Sequence, residues 1–343
     1  MQLNHYPPAA RLIHNAYLGN YFVSKTSFDI EQLIFGKKAG AVHLKEVVFV
    51  TGLARSGTTA LFNHLYNTNT FASLAYANMP FLLMPHLGAG CSRVAASQLM
   101  ERAHGDGIVI NNKSPEAFDE YFWKVFLGDS YIEKDTLLVH AVEKPVMENY
   151  HKYIQLTAHS YGKSSYISKN NNNILRINAL LNAFPGARFI VLYRNPLQQA
   201  QSLLNQHIHF SKLQRQDHFI VDYFNYLGHH EFGLNHKPFN FHPEQKMVAG
   251  PKDLNYWLNR WKDYYGYLLK QYNGRLCLVA FEDLCESPGK VAGYLNQLMQ
   301  LDQPVTIAEN YSPPKVQIDG YDERILNDCL KIYDELDTKR TYI

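Results

Sequence analysis

Residues 46–59 read EVVFVTGLARSGTT, and their types and order suit the holding of an anion. The apolar run Val47–Val50 predicts a buried strand. It leads into a glycine-bearing turn, and Ser56, Gly57, Thr58 and Thr59 then open a segment with helical apolar spacing. A strand, a tight turn and a helix N-terminus aim several backbone N–H groups at one point, with the positive end of the helix dipole behind them, which is a phosphate cradle. Gly52 and Gly57 keep the spacing of G-x-x-x-x-G-K-[ST]. Thr58, however, stands where that pattern needs its lysine, and the cation is Arg55, inside the turn. A nucleoside triphosphatase uses that lysine on the β/γ-phosphates, so this loop suits a related but different anion.

A second anion-binding pattern lies about 140 residues further on. Arg188–Tyr193 carries an apolar run too short for a helix and predicts a strand. Arg194 follows at its end. Asn195-Pro196 makes the turn, with Pro196 suited to the first position of the next helix. Ser202 comes eight residues after Arg194, about two turns into that helix. A guanidinium and a hydroxyl so placed can fork a second phosphate.

Together these residues resemble the sulfotransferases that use 3′-phosphoadenosine 5′-phosphosulfate (PAPS). Arg55-Ser56-Gly57-Thr58-Thr59 is similar to the family's 5′-phosphosulfate loop, in the form with arginine found in many bacterial and Golgi members. Arg194, Asn195, Pro196 and Ser202 resemble its 3′-phosphate motif, and residues 279–284 (VAFEDL) resemble its strand-then-acidic segment. The resemblance covers roughly residues 45 to 300. It implies an α/β, P-loop-NTPase-like three-layer fold with a central, mainly parallel sheet flanked by helices. It also implies PAPS as donor and PAP as product. Phe281 corresponds to an aromatic beside the adenine, or is simple strand core. Lys315 either closes over the 3′-phosphate or is an exposed loop lysine.

For the transfer itself, the resemblance carries Lys169 over as a residue that steadies the moving group, from a Lys-Thr-His triplet of the cytosolic branch. Asn171 replaces that triplet's histidine, and the region where Golgi members keep a glutamate, residues 74–80, has no carboxylate. A hydroxyl acceptor still needs a general base. The candidates are His104 and Asp106 in the glycine-flanked stretch 101–107, Glu116 in Ser114-Pro115-Glu116, and a second polar cluster, residues 228–233 (GHHEFG). Two other functions stay open: an NTP-dependent kinase, and a nucleotide-binding protein without catalysis. The acceptor class is a small molecule, a glycan or a lipid. Sulfuryl transfer requires no metal, and the 16 histidines show no zinc-ligand spacing, so none is expected.

The elements that must position these groups alternate strand and helix. Strands are predicted at 163–169, 188–193 and 276–281. Helices are predicted at 28–35 with Gly36 as stop, at 174–184, 254–269, after Ser287-Pro288, and at 322–336. That alternation argues for a parallel sheet with the ligand at the carboxyl ends of its strands. Residues 1–343 are read as one domain with a core at about 45–300. The segments at about 90–160 and 205–252 fit the alternation poorly and are read as substrate-covering insertions. Charged residues make up 19% of the chain and the net charge is +2, which gives no argument for nucleic acid. Residues 56–92 lack Asp, Glu, Lys and Arg, but Asn, His and Pro interrupt them too often for a membrane span. Four cysteines without paired spacing and no signal-peptide layout suit a cytoplasmic protein. Oligomeric state is not legible in the pattern.

Overall fold

The computed structural model describes residues 8–88, 100–101, 109–110, 113–241, 250–299, 301, 303–307, 318–340 and 342. His104, Asp106 and Lys315 lie outside the described residues.

Four strands form the central sheet: β1 (Glu46–Thr51), β2 (Ser165–Lys169), β3 (Arg188–Tyr193) and β4 (Leu276–Ala280). They are parallel and lie in the order β2-β1-β3-β4. Nearly every residue in them is buried, which is why they read as continuous apolar runs rather than alternating ones. The two sheet faces feed separate cores. Val48, Val50, Ile167, Ile190, Leu192 and Val279 pack with Leu61, Phe62 and Leu65 of α3 (Thr58–Tyr66) and with Val291 and Leu295 of α11 (Pro288–Met299). The other face, with Phe49, Tyr166, Phe189 and Val191, joins a larger and strongly aromatic cluster. The result is three layers with a mainly parallel sheet in the middle.

The larger cluster is built from helices α4 (Asp119–Leu127), α5 (Lys144–Ser160), α6 (Ile177–Ala183), α7 (Pro196–Gln216), α8 (Phe219–Leu227), α9 (Leu254–Gln271) and α12 (Glu323–Thr338), while the short α10 (Phe281–Glu286) links β4 to α11. Segment 113–160, expected as cover, supplies α4 and α5, whose Phe122, Trp123, Tyr150 and Tyr153 sit in that core. Its aromatic content registers in the sequence only as composition, because the partners that bury it come from distant segments.

Ahead of the sheet run α1 (Pro8–Leu18) and α2 (Tyr21–Gly40). The expected short helix at 28–35 is twenty residues long. Asn20 caps it by accepting the Val23 N–H, and Lys37 and Lys38 lie in its last turn, where they favour the dipole. Gly36 does not stop it: a Cβ there would meet only Gln32 Cβ at 3.8 Å, so glycine is there without being required. β4 likewise ends one residue earlier than expected, at Ala280, and Phe281 opens a helix. The predicted helix at 174–184 begins as a 3-10 turn, Asn171–Arg176, capped by Asn170.

Candidate active site

The loop between β1 and α3 owes its shape to three backbone positions. Gly52 lies where a Cβ would fall 2.5 Å from the Leu192 carbonyl oxygen and 2.6 Å from Ser56 Oγ. Arg55 has a φ of 71° and Gly57 one of 92°. A non-glycine residue held in the left-handed region costs about 1–3 kcal/mol and persists only where its surroundings fix it. Gly57 is the N-cap of α3, and no side chain caps the helix there. The first N–H groups of α3 therefore face the loop without an internal acceptor.

Two residues that sequence reasoning passed over hold the loop. Gln199 Nε2 donates to the carbonyls of Leu53 and Ala54, both at 3.0 Å. Trp261 Nε1 donates to Gln199 Oε1 at 2.9 Å and to the Arg194 carbonyl at 3.1 Å. The loop and the end of β3 thus hang from one buried pair. Gln199 sits on α7 between Arg194 and Ser202 in sequence, which was the only signal available for it.

The two anion patterns, far apart in sequence, meet here. Arg55 Nε donates to Ser202 Oγ at 3.1 Å, and an Arg194 nitrogen to the Arg55 carbonyl at 3.4 Å. The Arg194 guanidinium lies over the Phe281 ring, 4.5 Å from its centroid. Phe281 in turn covers Gly57 so closely that a Cβ there would be 2.4 Å from Cδ2. Phe281 therefore belongs to this cluster rather than to the interior of a strand. Burial depresses the Arg194 pKa; Glu282 opposes that fall and Arg55 adds to it. Glu282 accepts the Asn195 N–H at 2.9 Å and the Tyr333 hydroxyl at 3.1 Å, which fixes the turn after β3. Thr58 and Thr59 are buried at the start of α3.

Lys169 ends β2 opposite Val50 of β1, two residues short of the loop. Its Nζ is 3.5 Å from Glu116 Oε1, with each side chain only 9% exposed. Glu116 reaches this place through an isolated bridge between Pro115 and Ala75. Its N–H donates to the Leu74 carbonyl at 3.4 Å, and the Tyr76 hydroxyl donates to its Oε2 at 3.3 Å. A carboxylate absent from residues 74–80 is thus laid beside them by another segment. In the second polar cluster, Glu231 Oε1 accepts from Asn171 Nδ2 at 3.2 Å, while His229 bonds the Ala117 carbonyl and His230 the Asn235 carbonyl. His230 is buried and its pKa is pushed down to about 3 by that burial. A ring that stays neutral and spends Nδ1 on a carbonyl is built as core.

Beneath Lys169 lies an ion pair. Arg176 forks Glu120 at 2.8 and 2.9 Å, Asn170 Nδ2 donates to the same carboxylate at 2.8 Å, and Tyr131 adds its hydroxyl. Burial alone would raise the Glu120 pKa, but the Arg176 charge outweighs it and brings it down to about 2. Asn170 is also tied to β1, donating its N–H to the Val50 carbonyl and accepting from Thr51 Oγ1. The pair therefore steadies the strand end that carries Lys169. Among the described residues no group of three His, Cys, Asp or Glu could hold a metal ion, and no helix is long and apolar enough to cross a membrane.

Residues 47–304 match the model of the sulfotransferase family. Among solved structures, sulfotransferase STF9 from Mycobacterium avium is similar with a TM-score of 0.52 and 15% identity, over 98% of this chain and 88% of that one. Sulfotransferase STF1 from Mycobacterium tuberculosis H37Rv gives 0.49 and 13%, over 83% and 75%. At 15% identity the STF9 likeness speaks for the fold alone. A comparison with curated proteins finds no match.

Proposed function

The chain belongs to the sulfotransferase family, and from that premise we propose that it transfers a sulfuryl group from PAPS to a hydroxyl or amine of a small-molecule, glycan or lipid acceptor. The observation that carries the choice of donor is the meeting of Arg55, Ser202, Arg194 and Phe281 around the uncapped start of α3. The residues fit a nucleotide with phosphate at both ends: Arg194 Nε is buried without a hydrogen-bond partner, and a buried donor left so is costly unless a ligand satisfies it.

In this reading Arg55, with the N–H groups of Ser56, Gly57, Thr58 and Thr59, holds the 5′ end and neutralises charge that grows there. Arg194 and Ser202 hold the 3′-phosphate and so exclude ATP. Phe281 offers its ring to the adenine. Lys315 would serve the 3′-phosphate from the C-terminal side. When bound, PAPS supplies the sulfuryl group and is left as PAP. Lys169 steadies the group at the carboxyl end of β2, and Glu116 accepts the proton an acceptor hydroxyl gives up; His104 and Asp106 are the competing candidates. The work is alignment and charge neutralisation, with no metal required.

The test is PAP release from PAPS over a panel of hydroxyl and amine acceptors. Glu116→Gln should cut turnover of a hydroxyl acceptor by about 10²–10⁴-fold while leaving PAP binding unchanged. Stabilisation by Mg-ATP and none by PAP would reject the donor assignment, and full activity in the Gln variant would reject Glu116.

A further inference from the structure

Seven of the ten large apolar residues that stand exposed among the described residues fall in residues 12–34. On α2 they are Phe22 at 79%, Val23, Ile30, Leu33 at 86% and Ile34. The opposite side of the same helix is already buried, through Ser24, Ser27, Phe28 and Glu31. A helix buried along one side and apolar along the other belongs between two layers, and the fold supplies one. Weighted by ordinary side-chain areas, the five outer residues expose roughly 550 Å², at the upper end of what a monomer's largest patch covers. Leu12 and Ile13 of α1 are exposed as well.

We infer that the outer face of α2 is the contact surface of a homodimer, packed against the same face of a second copy. At 100° per residue Phe22 and Leu33 lie along the middle of this face, Val23, Ile30 and Ile34 along one flank, and Lys25 and Asp29 along the other. Two antiparallel α2 helices about a twofold axis near residue 28 bring like flanks together. That register sets Phe22 of each copy against Leu33 of the other, and Val23 against Ile34. It also sets Lys25 against Asp29 on both sides of the axis, so two symmetric ion pairs close one edge of the apolar seam. Lys37 and Lys38 fall opposite the Gly19–Asn20 turn, where they meet no second cation. An anionic lipid surface would suit Lys25, Lys37 and Lys38 but would leave Asp29 against the headgroups, whereas the dimer pairs Asp29 with Lys25.

Sedimentation equilibrium of the full chain, over a wide range of concentration, tests the inference. The expected result is twice the monomer mass, and a return to monomer for Leu33→Glu with an unchanged circular dichroism spectrum. Lys25→Asp or Asp29→Lys alone sets like charges in register and should weaken the dimer by about tenfold, and the two together should restore it. A monomer at every concentration overturns the inference, as does a dimer indifferent to Leu33→Glu. Failure of the double exchange to recover association overturns the antiparallel register. A monomer that binds anionic vesicles would give the face to a membrane instead.

Discussion

Replacing Arg194 by alanine is the most direct trial of the donor site. Its guanidinium stacks on Phe281, carries a buried Nε without a partner, and lies close enough to Arg55 that the two charges repel. Without ligand the arginine is therefore held at a cost, and its removal should change the melting temperature little. With PAP present the balance reverses. A ligand bound only by the folded protein, at a hundred times its dissociation constant, adds about 2.7 kcal/mol. A chain of 343 residues has an unfolding entropy of about 0.7 kcal/mol/K, at ~2.1 cal/mol/K per residue, so the wild type should melt about 4 °C higher. Losing the charge-assisted bonds of one guanidinium costs about 3 kcal/mol, or roughly a hundredfold in affinity. At the same PAP concentration the variant then keeps only about 0.4 kcal/mol, and a shift below about 1 °C. Differential scanning fluorimetry with PAP and with ADP reads this directly. An undiminished PAP shift in Arg194→Ala, or an equal shift with ADP in the wild type, would refute the 3′-phosphate assignment.

Gly57→Ala should abolish the PAP shift and lower stability by about 1–3 kcal/mol, since φ is positive and the new methyl would strike Phe281; urea denaturation measures the second part. Arg176→Ala strands the buried Glu120 carboxylate and should cost about 3–5 kcal/mol, with the loss shrinking in acid once Glu120 protonates in the variant. His140, His230 and His236 have pKa values pushed by burial to about 4, about 3 and about 3. Each is neutral when folded and takes up a proton more readily when unfolded, so its contribution is whole above the unfolded value and is lost as pH falls. The three together should lower stability by about 4 kcal/mol between pH 7.5 and 5.5, seen as a melting temperature about 6 °C lower. A flat profile over that window would show that the rings charge in place.

The loop and the Arg194 turn were legible because each is a local pattern. A strand, a turn and a helix start occupy consecutive residues, and backbone sterics restrict what can stand at Gly52 and Gly57. The parallel sheet followed from runs buried on both faces. Sequence alone therefore determined the fold class, the four central strands and the two segments that meet at the candidate site. It did not determine which carboxylate stands beside Lys169. Glu116 lies about forty residues beyond the stretch it stands beside, and nothing in Ser114-Pro115-Glu116 announces the bridge to Ala75. Gln199 and Trp261, the Glu120–Arg176 pair and the exposed apolar face of α2 are of the same kind. Each acquires its role from a neighbour distant in sequence, and only packing decides which distant groups share a low-dielectric space.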